Sequence, residues 1–386
     1  MTKKILIIAL AKDWTGISRL PSGLKRAGFE VAALCPSGSY LSKTRYLDQR
    51  FTYPTFTYTR SKFIYLLMLL AIQRVHADLI VAGDEEALLA LQNLANFCQK
   101  VPILSRYSME IRRSIAAPEY DQIVLNKSRF VDKCSQWGIS VPKNIRVENI
   151  QMALEKASEF GYPLVLKFDF GYGSSGVTIC HNSKDLKKGF AKHRKAGLLA
   201  KVKSFVKQLF FVVQEEQTAS ISLQQYVSGQ VGQVPFSAKD GVMFAVNPML
   251  KYRTYPGETG PSSVSVGIES QEMEKAAEIV AREMKYTGFG SLDFIIDEKT
   301  QKPYVIEMNP RPIPPSHFSS ELCAVDLCEA LYKGLNSIVY EPKPFRPYMV
   351  ALFPNEKRRD PLSECIRDGY HDIPKDDPEL MAALDG

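Results

Sequence analysis

The sequence lacks the features of a secreted, membrane-spanning or zinc-binding protein. Its seven cysteines are an odd number without paired spacing, which favours reduced thiols in a cytoplasm-like compartment. No Cys/His cluster has zinc spacing, and Met1 leads almost directly into a strand-like segment, so no signal peptide is predicted. The longest apolar run, Phe63 to Ile72, is too short to cross a bilayer and predicts a buried helix. We therefore expect a cytoplasmic protein.

The chain also lacks a uniform excess of positive charge. Its formal net charge is +7, but residues 184–207 alone contain eight Lys and one Arg against one Asp. The rest of the chain is therefore close to neutral. This distribution disfavours a nucleic-acid-binding protein and leaves one basic segment to be explained.

A dinucleotide-binding motif is missing from the first part of the chain, although its strands and helices suit one. KILIIALA predicts a strand, Ile17 to Ala27 a helix, and FEVAALCP a second strand. DLIVA predicts a further strand before a helix, and Val101 to Leu104 a short strand. This alternation predicts a parallel sheet with helices on both faces. The loop AKDWTG has no G-x-G-x-x-G, so no NAD site is predicted there.

A glycine-rich loop between two strands is the strongest phosphate-binding signal. The strand PLVLKF carries Lys167, and the loop GYGSSG follows before the strand VTIC. Glycine lets the backbone approach a ligand closely, and hydroxyl and N–H groups can donate to phosphate oxygens. The candidate residues are Gly171, Gly173, Ser174, Ser175 and Gly176. A plain glycine-rich hairpin is the alternative, and the preceding lysine favours phosphate binding.

Acidic and amide side chains share one face of a second predicted hairpin, Gly288 to Pro312. Glu307 and Asn309 are two residues apart on one strand and so point the same way. Asp293 on the partner strand can join them, and three hard oxygen ligands suit Mg²⁺ or Mn²⁺. Arg311 adds a cation two residues further on. A solvated hairpin face is the alternative interpretation for any one of these residues alone.

The E-x-N-x-R ending of this hairpin, with an acid on the preceding strand, resembles the metal-binding end of the ATP-grasp superfamily. The resemblance covers about residues 120–335 and implies an ATP site with its metal ion. It implies phosphate contacts from Lys127 and Lys167, although Asn126 stands where the family usually has Asp. It also implies an adenine-binding hinge between two subdomains, formed by Gln224, Gln225, Tyr226 and Val227. Val231 stands where relatives often have a ribose-binding Glu, so no ribose ligand is assigned.

The resemblance implies an α/β fold with an α+β grasp: a Rossmann-like pre-ATP-grasp domain followed by a two-subdomain ATP-grasp fold. We expect the first domain over 1–118, the lid-bearing subdomain over 119–222 and the metal-binding subdomain over 223–340. In the last subdomain, Glu321 to Gly334 is predicted to be one amphipathic helix. The Pro-rich, charged tail over 341–386 is predicted to be a strap over the surface.

The implied activity is ATP-dependent formation of an acyl phosphate, which an amine captures to give an amide or peptide bond. Small-molecule carboxylates and amines are then the partners, with Arg311 as a stabiliser of the reacting group. Lys251, Arg253 and the YPGETG loop are candidates for substrate recognition, and a surface hairpin is the alternative for that region. An ATP-dependent kinase or carboxylase, and a non-catalytic nucleotide-binding module, stay open.

The basic segment combines its lysines with an apolar stripe from Leu198 to Phe210. Apolar residues recur there at intervals of three and four, which predicts an amphipathic helix. Core packing or a homodimer contact explains such a stripe. Weak docking on an anionic membrane surface is the alternative hypothesis.

Overall fold

The computed structural model describes residues 2–54, 62–168, 176–192, 221–258 and 260–386. The glycine-loop residues Gly171, Gly173, Ser174 and Ser175 and the basic segment 198–210 lie outside these ranges. The structure is mixed α/β and contains three sheets. In the described part of the chain, no helix is long and apolar enough to span a bilayer.

The first sheet is parallel, with strand order β3-β2-β1-β4. The β1-α1-β2 unit confirms the predicted βαβ connection. Its strands are β1 Lys4–Ile8, β2 Glu30–Pro36, β3 Gln49–Tyr53 and β4 Leu79–Ala82. Its helices are α1 Leu20–Ala27, α2 Tyr40–Lys43, α3 Lys62–Val75, α4 Glu85–Gln99 and α5 Ser105–Arg112. Two short helices, α6 Asp121–Val124 and α7 Lys127–Gln136, lead out of this unit.

Two local predictions in the first unit are wrong in detail. Residues 101–104 form no strand, because Pro102 begins a 3-10 turn that ends at Leu104. The apolar run from Phe63 is helical as predicted, but only one face of α3 is buried. Ile64 and Met68 lie in the core, whereas Leu66 is 52% exposed.

The second sheet is antiparallel, with strand order β5-β8-β6-β7, and it carries Lys167 and Gln224. Its strands are β5 Asn144–Val147, β6 Leu164–Phe168, β7 Val177–Cys180 and β8 Ile221–Gln225. Helix α8, Ile150–Phe160, and helix α9, covering 183–192, accompany the sheet. A core of its own, including Leu164, Leu166 and Leu223, holds this unit together.

The third sheet has eight strands, in the order β14-β13-β9-β11-β12-β15-β16, with β10 paired to β9. The first four strands are β9 Gly229–Lys239, β10 Val242–Val246, β11 Met249–Thr254 and β12 Ser262–Gly267. The others are β13 Gly288–Asp297, β14 Pro303–Asn309, β15 Met349–Leu352 and β16 Tyr370–Asp372. Its helices are α10 Gln271–Glu283, α11 Ser320–Cys323, α12 Leu327–Leu335, α13 Asn355–Arg359, α14 Glu364–Asp368 and α15 Pro378–Asp385.

The structure differs from the sequence-based expectation in the C-terminal part of this sheet. The tail is no surface strap, because β15 pairs with β12 and β16 extends the sheet beside β15. The helix predicted from Glu321 is broken at Ala324, whose φ of 66° is left-handed. Asp326 then caps α12 by accepting from the N–H groups of Cys328 and Glu329 at 3.0 Å.

One hydrophobic core joins the first and third sheets. It contains Leu6 and Ile8 of β1 together with Phe236 of β9 and Leu292 of β13. The hairpin β13-β14 is therefore held against the N-terminal unit, and residues from both can reach one site.

Candidate active site

The hairpin β13-β14 brings the three predicted oxygen ligands together. Asp293 lies opposite Glu307 in the strand register, and Ser291 lies opposite Asn309. The Asn309 Nδ2 donates to Asp293 Oδ1 at 3.1 Å. A register shift after Asp293 marks a bulge, a feature that re-aims side chains at the end of a strand.

Two lysines from other elements reach these carboxylates. Lys251 Nζ on β11 lies 2.6 Å from Asp293 Oδ2, and both side chains are largely buried, at 14% and 4% exposed. Lys127 Nζ lies 2.6 Å from Glu307 Oε2. Lys127 is the first residue of α7, which Asn126 caps by accepting from the N–H of Arg129 at 2.9 Å. Asn126 stands where the ATP-grasp superfamily usually has Asp. Because Asn serves as an N-cap as well as Asp does, this difference still leaves Lys127 at the start of the helix.

The electrostatics of the Lys127–Glu307 pair favour the charged form of each partner. Burial raises the pKa of Glu307, but Lys127, Lys251 and Lys167 outweigh it and hold the pKa of this carboxyl well below its usual range. Burial likewise lowers the pKa of Lys127, and the carboxylate of Glu307 reverses the effect and raises it. Lys127 and Glu307 therefore form an ionised pair at neutral pH.

Lys167 joins the same group from the second sheet. Its Nζ donates to the carbonyl oxygen of Ile306 at 3.4 Å, next to Glu307 in β14. The side chain is 9% exposed, so the ammonium is turned toward the hairpin and away from bulk solvent. Gly176, at the C-terminal end of the predicted phosphate loop, is buried just before β7. The structure thus places Lys167 beside the strand that carries Glu307, and its charge contributes to the lowered pKa of that carboxyl.

The predicted hinge lies at the passage from the second sheet to the third. Gln224 is 3% exposed, and its Nε2 has no hydrogen-bond partner among the described residues. The N–H of Gln225 donates to the carbonyl oxygen of Lys143 at 2.8 Å, so this backbone donor is already engaged. Tyr226 and Val227 are half-buried between β8 and β9. The buried Gln224 amide therefore has bonding capacity left for a ligand.

Arg311 is held by two residues that sequence reasoning missed. Its guanidinium carbon lies 4.4 Å from the centroid of the Trp14 ring, and its Nε lies 2.8 Å from Glu85 Oε1. Trp14 belongs to the loop after β1, and the Asp84 carboxylate fixes that loop by accepting from the N–H groups of Leu10 and Ala11. The sequence signal that could have pointed to Trp14 is the loop AKDWTG, because this loop follows the carboxyl end of a parallel strand, where ligand sites form.

Arg253 is engaged elsewhere. Its guanidinium lies 2.7 Å from Glu364 and 3.5 Å from Glu356, both in the C-terminal helices. Lys251, two residues earlier, contacts Asp293 instead. These contacts favour a structural role for Arg253, and its part in substrate recognition stays a prediction.

The donor set fits a hard divalent cation such as Mg²⁺. Among the described residues, no cluster of three His, Cys, Asp or Glu side chains could hold a metal ion by itself. Two carboxylates and the amide of Asn309 are present, and Mg²⁺ commonly completes its shell with water and substrate phosphates. Gln233 adds an amide whose Nε2 donates to Asp293 Oδ1 at 3.3 Å, and its Oε1 has no partner within the described ranges. The site therefore suits a metal ion that arrives with a phosphate-bearing substrate.

Comparison with known proteins identifies the class. Residues 124–315 match the model of the ATP-grasp domain family. The matched part of the chain contains the lysines, the predicted hinge and the acidic hairpin described above.

The curated relatives are much longer proteins. The carbamoyl phosphate synthase large chain of Thermotoga neapolitana is 25% identical over 328 residues, which cover 80% of this chain and 27% of that protein. The same protein of Sulfolobus acidocaldarius is 22% identical over 304 residues, with 78% and 26% covered. This chain thus spans about a quarter of the length of the curated relatives it matches.

Solved structures share the fold over most of the chain. Biotin carboxylase from Campylobacter jejuni, in complex with β,γ-ATP, has a TM-score of 0.67 at 18% identity and covers 90% of this chain and 75% of that one. N5-carboxyaminoimidazole ribonucleotide synthetase from Thermotoga maritima has a TM-score of 0.59 at 16% identity, with 90% and 80% covered. All of these relatives are named as enzymes: a synthase, a carboxylase and a synthetase.

Proposed function

We propose that this protein uses ATP to activate a carboxylate as an acyl phosphate and joins it to an amine, releasing ADP and phosphate. The observation that carries the proposal is the pairing of Lys127 with Glu307 and of Lys251 with Asp293, at 2.6 Å each. Two lysines and two acids, from β11, β13, β14 and α7, meet there, within the part of the chain that matches the ATP-grasp family model. Such an arrangement suits phosphoryl transfer, which depends on positioning and charge neutralisation.

Asp293, Glu307 and Asn309 would hold Mg²⁺ or Mn²⁺. When bound, the ion would neutralise charge on the phosphate oxygens and act as a Lewis acid. Lys127 and Lys251, which now neutralise the two carboxylates, would then be available to the phosphates of ATP. Lys167 and the N–H groups of the predicted loop 171–176 would contact the same phosphates.

The remaining residues are assigned to the adenine of ATP and to the carboxylate substrate. Gln224, with its buried unpartnered amide, would bind the adenine edge together with the backbone of Gln225 to Val227. Arg311 would bind the substrate carboxylate and stabilise charge on the reacting group, since a guanidinium donates to two carboxylate oxygens at once. A small-molecule acid and a small-molecule amine are therefore the expected partners.

A carboxylase is the second candidate. Two structural relatives are named as a carboxylase and a carboxyaminoimidazole ribonucleotide synthetase, so bicarbonate is a plausible acid in place of an organic carboxylate. The residues proposed above would serve both reactions, because both begin with phosphorylation of a carboxylate oxygen.

The test is an ADP-release assay with pools of small carboxylates, amines and bicarbonate, omitted one at a time, with product masses measured. Release that requires both an acid and an amine, with a product of their combined mass less water, supports the ligase. Release that requires bicarbonate supports the carboxylase. A product carrying a stable phosphate would overturn both in favour of a kinase. Glu307→Gln is the inactive control, which excludes a contaminating ATPase.

A further inference from the structure

A cavity of about 620 Å³ lies between the N-terminal unit and the C-terminal tail. Helix α1 and the loop at Tyr46 form one wall, and His317 to Ser319 and residues 370–376 form the other. Strand β16 is separated from β13 by four strands, so Asp372 is about 24 Å from Asp293 along the sheet, at ~4.8 Å per step. The cavity is thus separate from the candidate active site, and its volume is typical of small-molecule sites.

Cationic side chains predominate in the lining. Of the described residues that line it, four are Lys or Arg and two are Asp; they are Arg19, Lys25, Arg26, Lys375, Asp372 and Asp376. The carboxylates of Asp48 and Asp326, which pair with Lys25 and Arg26, lie outside the lining. Lys25 and Arg26 therefore line the cavity while each is ion-paired with a carboxylate outside the lining, and Arg19 is ion-paired with Asp372.

The two acids in the lining are already engaged. Asp372 is 3% exposed, and its carboxylate lies 3.1 Å from both Arg19 and His317. Asp376 accepts a hydrogen bond from the Tyr46 hydroxyl. The ion pairs of Lys25 and Arg26 are formed with Asp48 and Asp326, not with these two acids.

We propose that this cavity is a binding site for a small phosphate monoester. Arginine and lysine on one wall would bind the phosphate, and Ser22 and Tyr46 would contact the polar remainder of the molecule. The cavity adjoins the segment that follows Arg311. His317 Nε2 lies 3.1 Å from Asp372 Oδ1, and His317 Nδ1 lies 2.6 Å from the carbonyl oxygen of Pro314. Occupancy would therefore tie the N-terminal unit, the Arg311 segment and the tail together.

The test measures binding of ribose 5-phosphate, with inorganic phosphate and unphosphorylated ribose alongside, to the full-length protein by calorimetry. We expect ribose 5-phosphate to bind and ribose not to bind. The double variant Lys25→Gln/Lys375→Gln should weaken binding by about tenfold or more. The matched control Lys3→Gln/Lys357→Gln removes two surface lysines that pair with Asp78 and Asp385, and it should change nothing.

The variant residues lie outside the acidic hairpin, so the comparison does not depend on the proposed ATP chemistry. Equal affinity in the double variant and the wild type would overturn the proposal, as would the absence of binding at millimolar concentrations. Sedimentation of the same proteins tests whether a second copy of the chain occupies the cavity instead. A wild-type dimer that the double variant converts to monomer, without phosphate binding, would assign the cavity to a second copy of the chain.

Discussion

The guanidinium carbon of Arg311 lies 4.4 Å from the centroid of the Trp14 ring. The two residues are almost 300 positions apart: Arg311 follows the acidic hairpin, and Trp14 follows the first strand. Glu85, at the start of α4, holds the same guanidinium from a second side at 2.8 Å. The N-terminal unit thus contributes directly to the candidate active site, although it carries no nucleotide-binding motif of its own.

Trp14→Leu is expected to lower turnover by about tenfold with little change in ATP affinity. A partly buried cation–π contact contributes about 1–2 kcal/mol, and 1.4 kcal/mol corresponds to a factor of ten. ATP titration and steady-state ADP release measure the two effects separately. Trp137→Phe is the matched control, because Trp137 packs against Tyr120 away from Arg311. A loss confined to ATP affinity would contradict this role for Trp14.

Glu307→Gln and Asn309→Ala should each reduce turnover by about a thousandfold or more while the fold is kept. Loss of the negative charge of Glu307, or of the side-chain oxygen of Asn309, at a phosphoryl-transfer site raises the barrier by several kcal/mol. ADP release by the purified variants, with circular dichroism as a check of folding, measures the effect. Glu298→Gln alters an exposed acid in the turn of the same hairpin and should be fully active. Wild-type ADP production by both variants would remove the metal assignment.

Much of the hairpin could be predicted because its information is local. Strand alternation places Glu307 and Asn309 on one face, and a short polar turn brings Asp293 opposite them. The partners of Arg311 could not be predicted in this way. Trp14 and Glu85 reach it only because the N-terminal sheet docks on the third sheet, and no periodicity along the chain encodes that docking.

The tail was missed for a different reason. Strands β15 and β16 have four and three residues, too few to show alternation, and they lie among prolines and charges. Glu356 and Asp372 look solvated in the sequence, yet they are 0% and 3% exposed because arginines from distant elements pair with them. Arg253 suits substrate binding in the sequence for a similar reason, since its protein partners lie about a hundred residues away.

Lys167→Met should weaken ATP binding far more than it changes the melting temperature without nucleotide. Methionine keeps most of the buried volume, and the charge it removes faces the expected phosphates. Stabilisation by a ligand grows as RT ln(1 + [L]/Kd), so the thermal shift with ATP should shrink in the variant. Lys187→Met, on the exposed face of α9, is the control. Equal thermal shifts for Lys167→Met and the wild type would refute the phosphate contact.

Glu356 provides the clearest expectation for how the stability of the fold depends on pH. Burial raises the pKa of this carboxyl, but hydrogen bonds from Arg359, Ser363 and Ser263 outweigh it and lower the pKa to about 2. In the unfolded chain the pKa is about 4.3. The stabilisation is therefore complete above about pH 4.3 and is lost as the pH falls through about 2.

Glu356→Gln should accordingly lower the free energy of unfolding at neutral pH, by about 3 kcal/mol from the difference in pKa. The gap between wild type and variant should close as the pH falls from about 4.3 to about 2, because protonation removes the charge in the wild type as well. Urea unfolding at a series of pH values measures the gap. Glu364→Gln, which alters the 60%-exposed partner of Arg253, should change stability by less than 1 kcal/mol at any pH. A gap that stays constant down to acid pH would mean that the carboxylate of Glu356 is not ionised in the folded protein, and that Arg253 and Arg359 are held by other groups.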